Sequence, residues 1–316
     1  MARQPKRHIT GAVLLLFLCC WNFSFGQEEK QADTTSFYKR QIELSHDNDF
    51  LLFTDWYYTT GSFITYRILL NEADEQRERR QLAFSLSQEY YTPSNIQSQN
   101  IEEFDRPYAG YTSITSSLSF TGKKRILDFA LQIGVSGAIS GAEGFQSWFH
   151  STNESSNPTW VGQIDDAVHG NLYVDYTREW QLLPNPFGVY ATWKPSAGFG
   201  TKDIYLQNET TFYFGKRAGT SQTMAHNQIG YIKPEFFFGI HFAYRYVMHD
   251  ALLEGNLIGD NSIFVLDPID HLFFYGINGH YRNKRMEYKI GYNYASRRAP
   301  TTALHAWILL AISRNF

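Results

Sequence analysis

Apolar and polar residues alternate along much of this chain with a period of two. Between Ile126 and Ser136, Leu127, Phe129, Leu131, Ile133 and Val135 form one set, and Asp128, Ala130, Gln132, Gly134 and Ser136 the other. Further on, Tyr288, Ile290, Tyr292 and Tyr294 oppose Lys289, Gly291, Asn293 and Ala295. Successive side chains of a strand point to opposite faces, so the pattern predicts strands. Read along the whole chain it predicts twelve: 39–50, 57–70, 80–91, 109–121, 126–138, 170–182, 187–200, 202–216, 230–249, 270–283, 285–297 and 303–316. In the last, Leu304, Ala306, Ile308, Leu310 and Ile312 share a face with the terminal Phe316, while His305, Trp307, Leu309, Ser313 and Asn315 lie opposite.

An amphipathic final strand closing on Phe suits a sealed wall that faces lipid, because hydrocarbon offers no partner to an unpaired backbone group. The tail alone would also suit a half-buried strand of a soluble protein. The N-terminus decides between them. Arg3, Lys6, Arg7 and His8 precede a short apolar core, Ala12 to Trp21, and Ser24-Phe25-Gly26 then offers small residues at a cleavage position. Residues 1–26 are therefore expected to be a signal peptide, carrying away both cysteines, Cys19 and Cys20. The expected fold is all-β: one domain, 27–316, forming a twelve-stranded antiparallel transmembrane β-barrel in the outer membrane of a Gram-negative-type bacterium.

Composition agrees. Aromatic residues make up 17% of the chain, with 21 Tyr and 25 Phe, as interfacial girdles require. The net charge of −3 argues against a nucleic-acid partner. With a periplasmic start, the longest connections, near 92–108, 139–169 and 250–269, fall outside the cell, and short ones such as 121–125 fall on the periplasmic side. Two periplasmic connections, 71–79 and 217–229, are too long for tight turns.

This topology gives separated polar groups one address. His46-Asp47-Asn48-Asp49 ends the first strand, Tyr58-Thr59-Thr60-Gly61 opens the second, and His150 and Glu154 lie in the loop 139–169. Each has a plain structural reading: Asn and Asp terminate strands by bonding nearby backbone, and a histidine in a polar loop is usually just solvated. The chemical reading is that two carboxylates and neutral oxygens bind a hard cation, and that a neutral imidazole beside them deprotonates water. No G-x-S-x-G or H-E-x-x-H element is present, which favours activated water over a serine nucleophile or zinc.

At these residues the chain resembles the lipid A 3'-O-deacylase family of outer-membrane barrels. The matching pieces, in order, are Asn48-Asp49, Tyr58-Thr59-Thr60-Gly61, the stretch Gln88 to Ser94, Asp105-Arg106-Pro107-Tyr108-Ala109-Gly110, and a run from Gly134-Val135 through His150 to Trp160 and Gln163-Ile164. The resemblance implies a calcium-dependent site at the outer rim, between the wall and an extracellular loop, that hydrolyses the ester holding the 3'-linked acyloxyacyl chain of lipid A. It implies His150 as catalytic base, Asn48 and Thr59 as further catalytic residues, and Asp49 and Glu154 as calcium ligands, Glu154 only if one or two residues are deleted after His150. Arg106 is the candidate substrate-binding residue; the Lys-Arg pair that the family can use on the substrate is not matched, Gln97-Ser98 standing near its place. Lipopolysaccharide is the expected partner, with the site facing outward. Two other functions compete: an outer-membrane phospholipase, which needs a Ser-His pair with an Asn, and a non-enzymatic barrel serving as pore or scaffold.

Overall fold

The alternation read from the sequence is the alternation of a closed wall. The computed structural model describes residues 36–49, 56–72, 78–153 and 156–316; the expected signal peptide and Glu154 lie outside them. Twelve strands form one antiparallel barrel. They are β1 (Arg40–Asn48), β2 (Tyr57–Asn71), β3 (Arg79–Thr92), β4 (Ala109–Thr121), β5 (Arg125–Ser136), β6 (Ala167–Leu183), β7 (Gly188–Gly200), β8 (Asp203–Lys216), β9 (Glu235–Asp250), β10 (His271–Asn283), β11 (Met286–Ala295) and β12 (His305–Asn315). Each strand pairs with its chain neighbours, and β12 closes the ring on β1 with Ile308 opposite Asn48 and Asn315 opposite Gln41. The Phe316 backbone completes that seam through reciprocal bonds to Arg40 at 2.9 and 3.0 Å.

Residues that the pattern placed on the apolar face point outward. Leu131, Ile133, Ile277 and Ile290 are exposed, in a band flanked by Tyr292 and Tyr275 towards one rim and by Tyr281, Tyr288 and Phe238 towards the other. The opposite set fills the lumen, where charges are paired. Glu43 binds Arg67 at 2.9 Å and Lys289 at 2.7 Å, and Arg282 binds Glu235 at 2.9 Å and Glu287 at 2.8 Å.

The two rims differ. Connections 93–108, 137–166 and 251–270 gather at one, with 49–56, 201–202 and 296–304; the other carries 122–124, 184–187 and 284–285. The long connection 217–234 belongs to this second rim, and its length now has a reason. It turns back into the lumen, burying Met224 and Ile229 and offering backbone N–H groups of Ala218 and Met224 to Glu235 at 2.7 and 2.9 Å. The ninth strand accordingly begins at Glu235 rather than 230, and Tyr231–Ile232 pairs apart from the barrel with Ser36–Phe37.

One element was not expected. The loop 139–169 contains an 11-residue helix, α1 (Ala142–Thr152). A second, one-turn helix, α2 (Ala251–Glu254), sets Leu252 against Tyr91, Tyr111 and Ile164 over the mouth of the lumen.

Candidate active site

Strand pairing brings the N-terminal motif residues together on the outer face. Asn48 lies opposite Thr60, and its amide Nδ2 donates to Thr60 Oγ1 at 2.8 Å. A register shift between Tyr58 and Thr60 leaves Thr59 as an extra residue in β2. Such a bulge re-aims side chains at a barrel rim; here Thr59 Oγ1 meets Thr92 Oγ1 at 2.7 Å. The Thr59 carbonyl accepts from the Asp49 N–H at 3.3 Å. Asp49 is fully buried, and its Oδ2 accepts from the Trp56 N–H at 2.9 Å.

His150 reaches this face on α1. Ala142, Gln146 and His150, four residues apart, form the buried stripe of the helix. Three features press that stripe onto the wall. Ser140, just before the helix, has its carbonyl bound by Thr112 Oγ1 at 2.7 Å and Gln88 Nε2 at 3.2 Å, both outward-facing residues of β4 and β3. Gly110 lies beneath the helix start, where a Cβ would come within 2.3 Å of Ser140 Oγ and 2.4 Å of the Ala142 Cβ. Trp160 closes from the loop side, donating Nε1–H to Gln146 Oε1 at 3.0 Å and stacking on Tyr108 at 5.1 Å between centroids. Tyr90, Phe104, Tyr108, Ala142 and Trp160 form one buried cluster around this contact.

Among the described residues the imidazole is held by one bond, between His150 Nδ1 and the Ser156 carbonyl at 2.8 Å. A carbonyl only accepts, so in the neutral ring Nδ1 carries the proton and Nε2 presents the lone pair. This is the tautomer of a general base whose orientation is fixed from behind. No hydrogen bond joins His150 to Asn48, Asp49 or Thr59 among the described residues, and the helix that carries it packs on β3 and β4.

Arg106 is not brought to this face. It points to the lumen, fully buried, with its guanidinium over the Tyr91 ring at 4.7 Å and donating to the carbonyls of Pro107 at 3.0 Å and Leu252 at 3.1 Å. Burial, with the nearby Arg298, lowers its pKa to about 10. The lumen beside it holds a cavity of about 320 Å³, whose lining includes Glu89, Lys202, Arg245 and Arg298.

The outer-face donors are hard oxygens, which suit calcium rather than a soft metal. Among the described residues no three His, Cys, Asp or Glu side chains gather into a metal-holding group. Gly110, Trp160, Gln146 and Thr92 were not singled out from the sequence. Gly110, Trp160 and Thr92 did stand inside the motif elements, without a role that spacing could reveal.

The family model described as outer membrane protein LpxR matches residues 13–307. Among solved structures, LpxR from Salmonella typhimurium superposes with a TM-score of 0.76 at 17% identity, covering 87% of this chain and 100% of that one. The β domain of the Bordetella autotransporter BrkA gives a TM-score of 0.47 at 9% identity, over 89% of this chain and 100% of that one. No curated protein matches the chain.

Proposed function

Because this chain belongs to the LpxR family of outer membrane proteins, the lipid A deacylase family that its motifs resemble, we propose that it hydrolyses the ester holding the 3'-linked acyloxyacyl chain of lipid A. The observation that carries this reading is the clamped helix: it holds His150 against the outside of the wall with Nδ1 bonded to the Ser156 carbonyl, which leaves Nε2 as the ring nitrogen that can take a proton. Lipid A occupies the outer leaflet, so a site on the exterior of the wall meets its substrate without drawing it into the lumen.

In the mechanism we propose, His150 Nε2 takes a proton from water, and the oxygen of that water attacks the ester carbonyl. Asn48 and Thr59, fixed by Thr60 and Thr92, orient the water and the carbonyl. Asp49, with Glu154, would hold calcium, which when bound supplies Lewis acidity to the developing oxyanion. Collapse of the tetrahedral intermediate returns the proton from His150 to the departing sugar oxygen. The site faces the outside of the cell, at the rim that carries the long connections.

The competing functions find less support. Two Ser-His pairs bear on the phospholipase reading: Ser136 Oγ to His169 Nε2 at 2.9 Å is buried on the lumenal side, away from lipid, and Ser62 Oγ to His46 Nδ1 at 3.0 Å faces outward but has no Asn bonded to its imidazole among the described residues. The lumen, crossed by ion pairs and entered by 217–234, suits a pore poorly.

Mass spectrometry of lipid A from a lipid-A-bearing host expressing this chain tests the reading. The expected product lacks the 3'-linked acyloxyacyl group, and an unchanged lipid A profile would overturn it.

A further inference from the structure

Helix α1 has three stripes, not two. At about 100° per residue, Ala142, Gln146 and His150 face the wall, while Glu143, Ser147 and Ser151 form a polar flank on one side. Phe145, Trp148 and Phe149 form an aromatic flank on the other, 52%, 60% and 50% exposed. The two flanks have different neighbours. Glu143 accepts from Gln163 Nε2 in the loop at 2.9 Å, whereas the Phe145 ring lies 6.2 Å from that of Tyr90 on the wall. The wall supplies the depth. Gln88 and Thr112, which grip Ser140, are cross-strand partners, and the next outward pair below them is Leu86 and Ile114, 49% and 61% exposed. Two residues along a strand span roughly 7 Å. The helix therefore begins one residue pair above the apolar belt, and its exposed aromatic flank lies on the side of the helix that meets Tyr90 of the wall.

From this we infer that α1 is an interfacial anchor, its aromatic flank seated in the acyl layer of the outer leaflet, so that lipid contact fixes the depth and fit of His150. An amphipathic helix lying in the interface buries its apolar face by several ångströms into the boundary of headgroups and acyl chains. Here that burial presses the Ala142, Gln146 and His150 stripe onto the wall. The scissile ester of a lipid lies near this same boundary, so the helix would hold the base at the depth of its substrate. Without the acyl layer the aromatic flank faces water, and the helix has less reason to stay closed. The link to catalysis rests on the deacylase reading; the seating of the helix does not.

Nitroxide labels at Trp148→Cys and Ser151→Cys, introduced singly into the barrel reconstituted in phosphatidylethanolamine vesicles containing lipid A, test the seating. The label at 148 should collide with dissolved oxygen and be shielded from a water-soluble nickel chelate, and the label at 151 should show the reverse. A label at 148 as open to nickel as that at 151 would overturn the proposal, as would spin–spin broadening at 148, which would mean that a second copy of the chain covers the flank. For the coupling, Trp148→Ser with Phe149→Ser should slow release of the acyl group on the order of 10–100-fold, since a displacement of about 1 Å has that scale of effect. Trp148→Phe with Phe149→Leu should recover most of the rate. An unchanged rate in the serine variant would sink the coupling. Should the unaltered chain cleave no lipid A, the deacylase reading fails, and the nitroxide pair still decides where α1 lies.

Discussion

Strand β3 ends in Gln88-Glu89-Tyr90-Tyr91-Thr92, and its two faces do different work. Outward, Gln88, Tyr90 and Thr92 hold the start of α1, pack its aromatic flank and bind Thr59. Inward, Tyr91 donates to Glu89 at 2.8 Å and carries the Arg106 guanidinium over its ring. β1 and β2 divide in the same way. Asn48 pairs outward with Thr60, while Asp47 accepts inward from Tyr58 at 2.8 Å. Asp49 apart, the outer face is assembled from neutral hydroxyls and amides, and α1 packs on β3 and β4 from outside. The lumenal face is a charged network that stiffens the wall. Active-site chemistry needs groups whose partners can be displaced by substrate, whereas a buried ion pair loses its partner only at high cost. On the proposed mechanism, reactivity belongs to the outer side of the wall and rigidity to the lumenal side.

Removing the cation should break this contrast most completely. With Asp49 as a calcium ligand, activity is abolished in excess chelator and returns on adding calcium, and Asp49→Asn weakens calcium binding while the barrel still folds. Full turnover in chelator would take the Lewis acid out of the outer-face chemistry. Next in size is His150→Ala, expected to lower acyl release by ~10²–10⁴-fold or more, the range of general-base help. His46 is its control. It lies on the same face, bonded to Ser62 at 3.0 Å, and His46→Ala should cost far less.

A smaller effect on rate is expected beneath the helix. Gly110→Val places methyl groups where Ser140 and Ala142 sit, so α1 must lift. Acyl release should fall about 10²-fold, on the scale of a misplacement near 1 Å, with the folded barrel still heat-modifiable on gels. A wild-type rate would show that the clamp does not position His150.

The smallest effect on rate belongs to the lumen. Glu43→Gln leaves Arg67 and Lys289 without their shared carboxylate, a loss of about 3–5 kcal/mol for a broken buried pair. Urea unfolding from vesicles should shift accordingly while turnover stays within about twofold, an order-of-magnitude expectation for residues that stiffen the wall rather than touch substrate. A large loss of rate at unchanged stability would erase the distinction between the two faces.

Much of this architecture was legible in the order of residues. The set Leu127, Phe129, Leu131, Ile133 and Val135 is the outward set of β5, and Ala306, Ile308, Leu310 and Ile312 that of β12, with Leu304 exposed just before it. The twelve strands and the rim that gathers the long connections followed from the same count. Helix α1 was hidden because Phe145, Trp148 and Phe149 look like loop residues until the wall supplies a surface for the opposite stripe. The excess length of 217–229 read as a flaw in the topology, because a segment that folds back into a lumen leaves no periodic mark. Arg106, inside a motif element, read as a substrate contact, and its direction into the lumen depends on the path of the chain after Asp105.

Period-two alternation is a local property, imposed by lipid on one face and a packed lumen on the other. By itself the sequence therefore determined the fold, the number of strands and which residues face outward. It also determined that Asn48, Asp49 and Thr59 lie at one rim with the loop that holds His150. Only the tertiary structure decided which of these meet, because meeting depends on register across strands far apart in sequence. The bulge at Thr59, the seat made by Gly110 and the bond from Trp160 Nε1 to Gln146 each arise from a contact between segments. Such contacts leave no periodicity in the chain, so the chemistry of the site became visible only once the wall had closed.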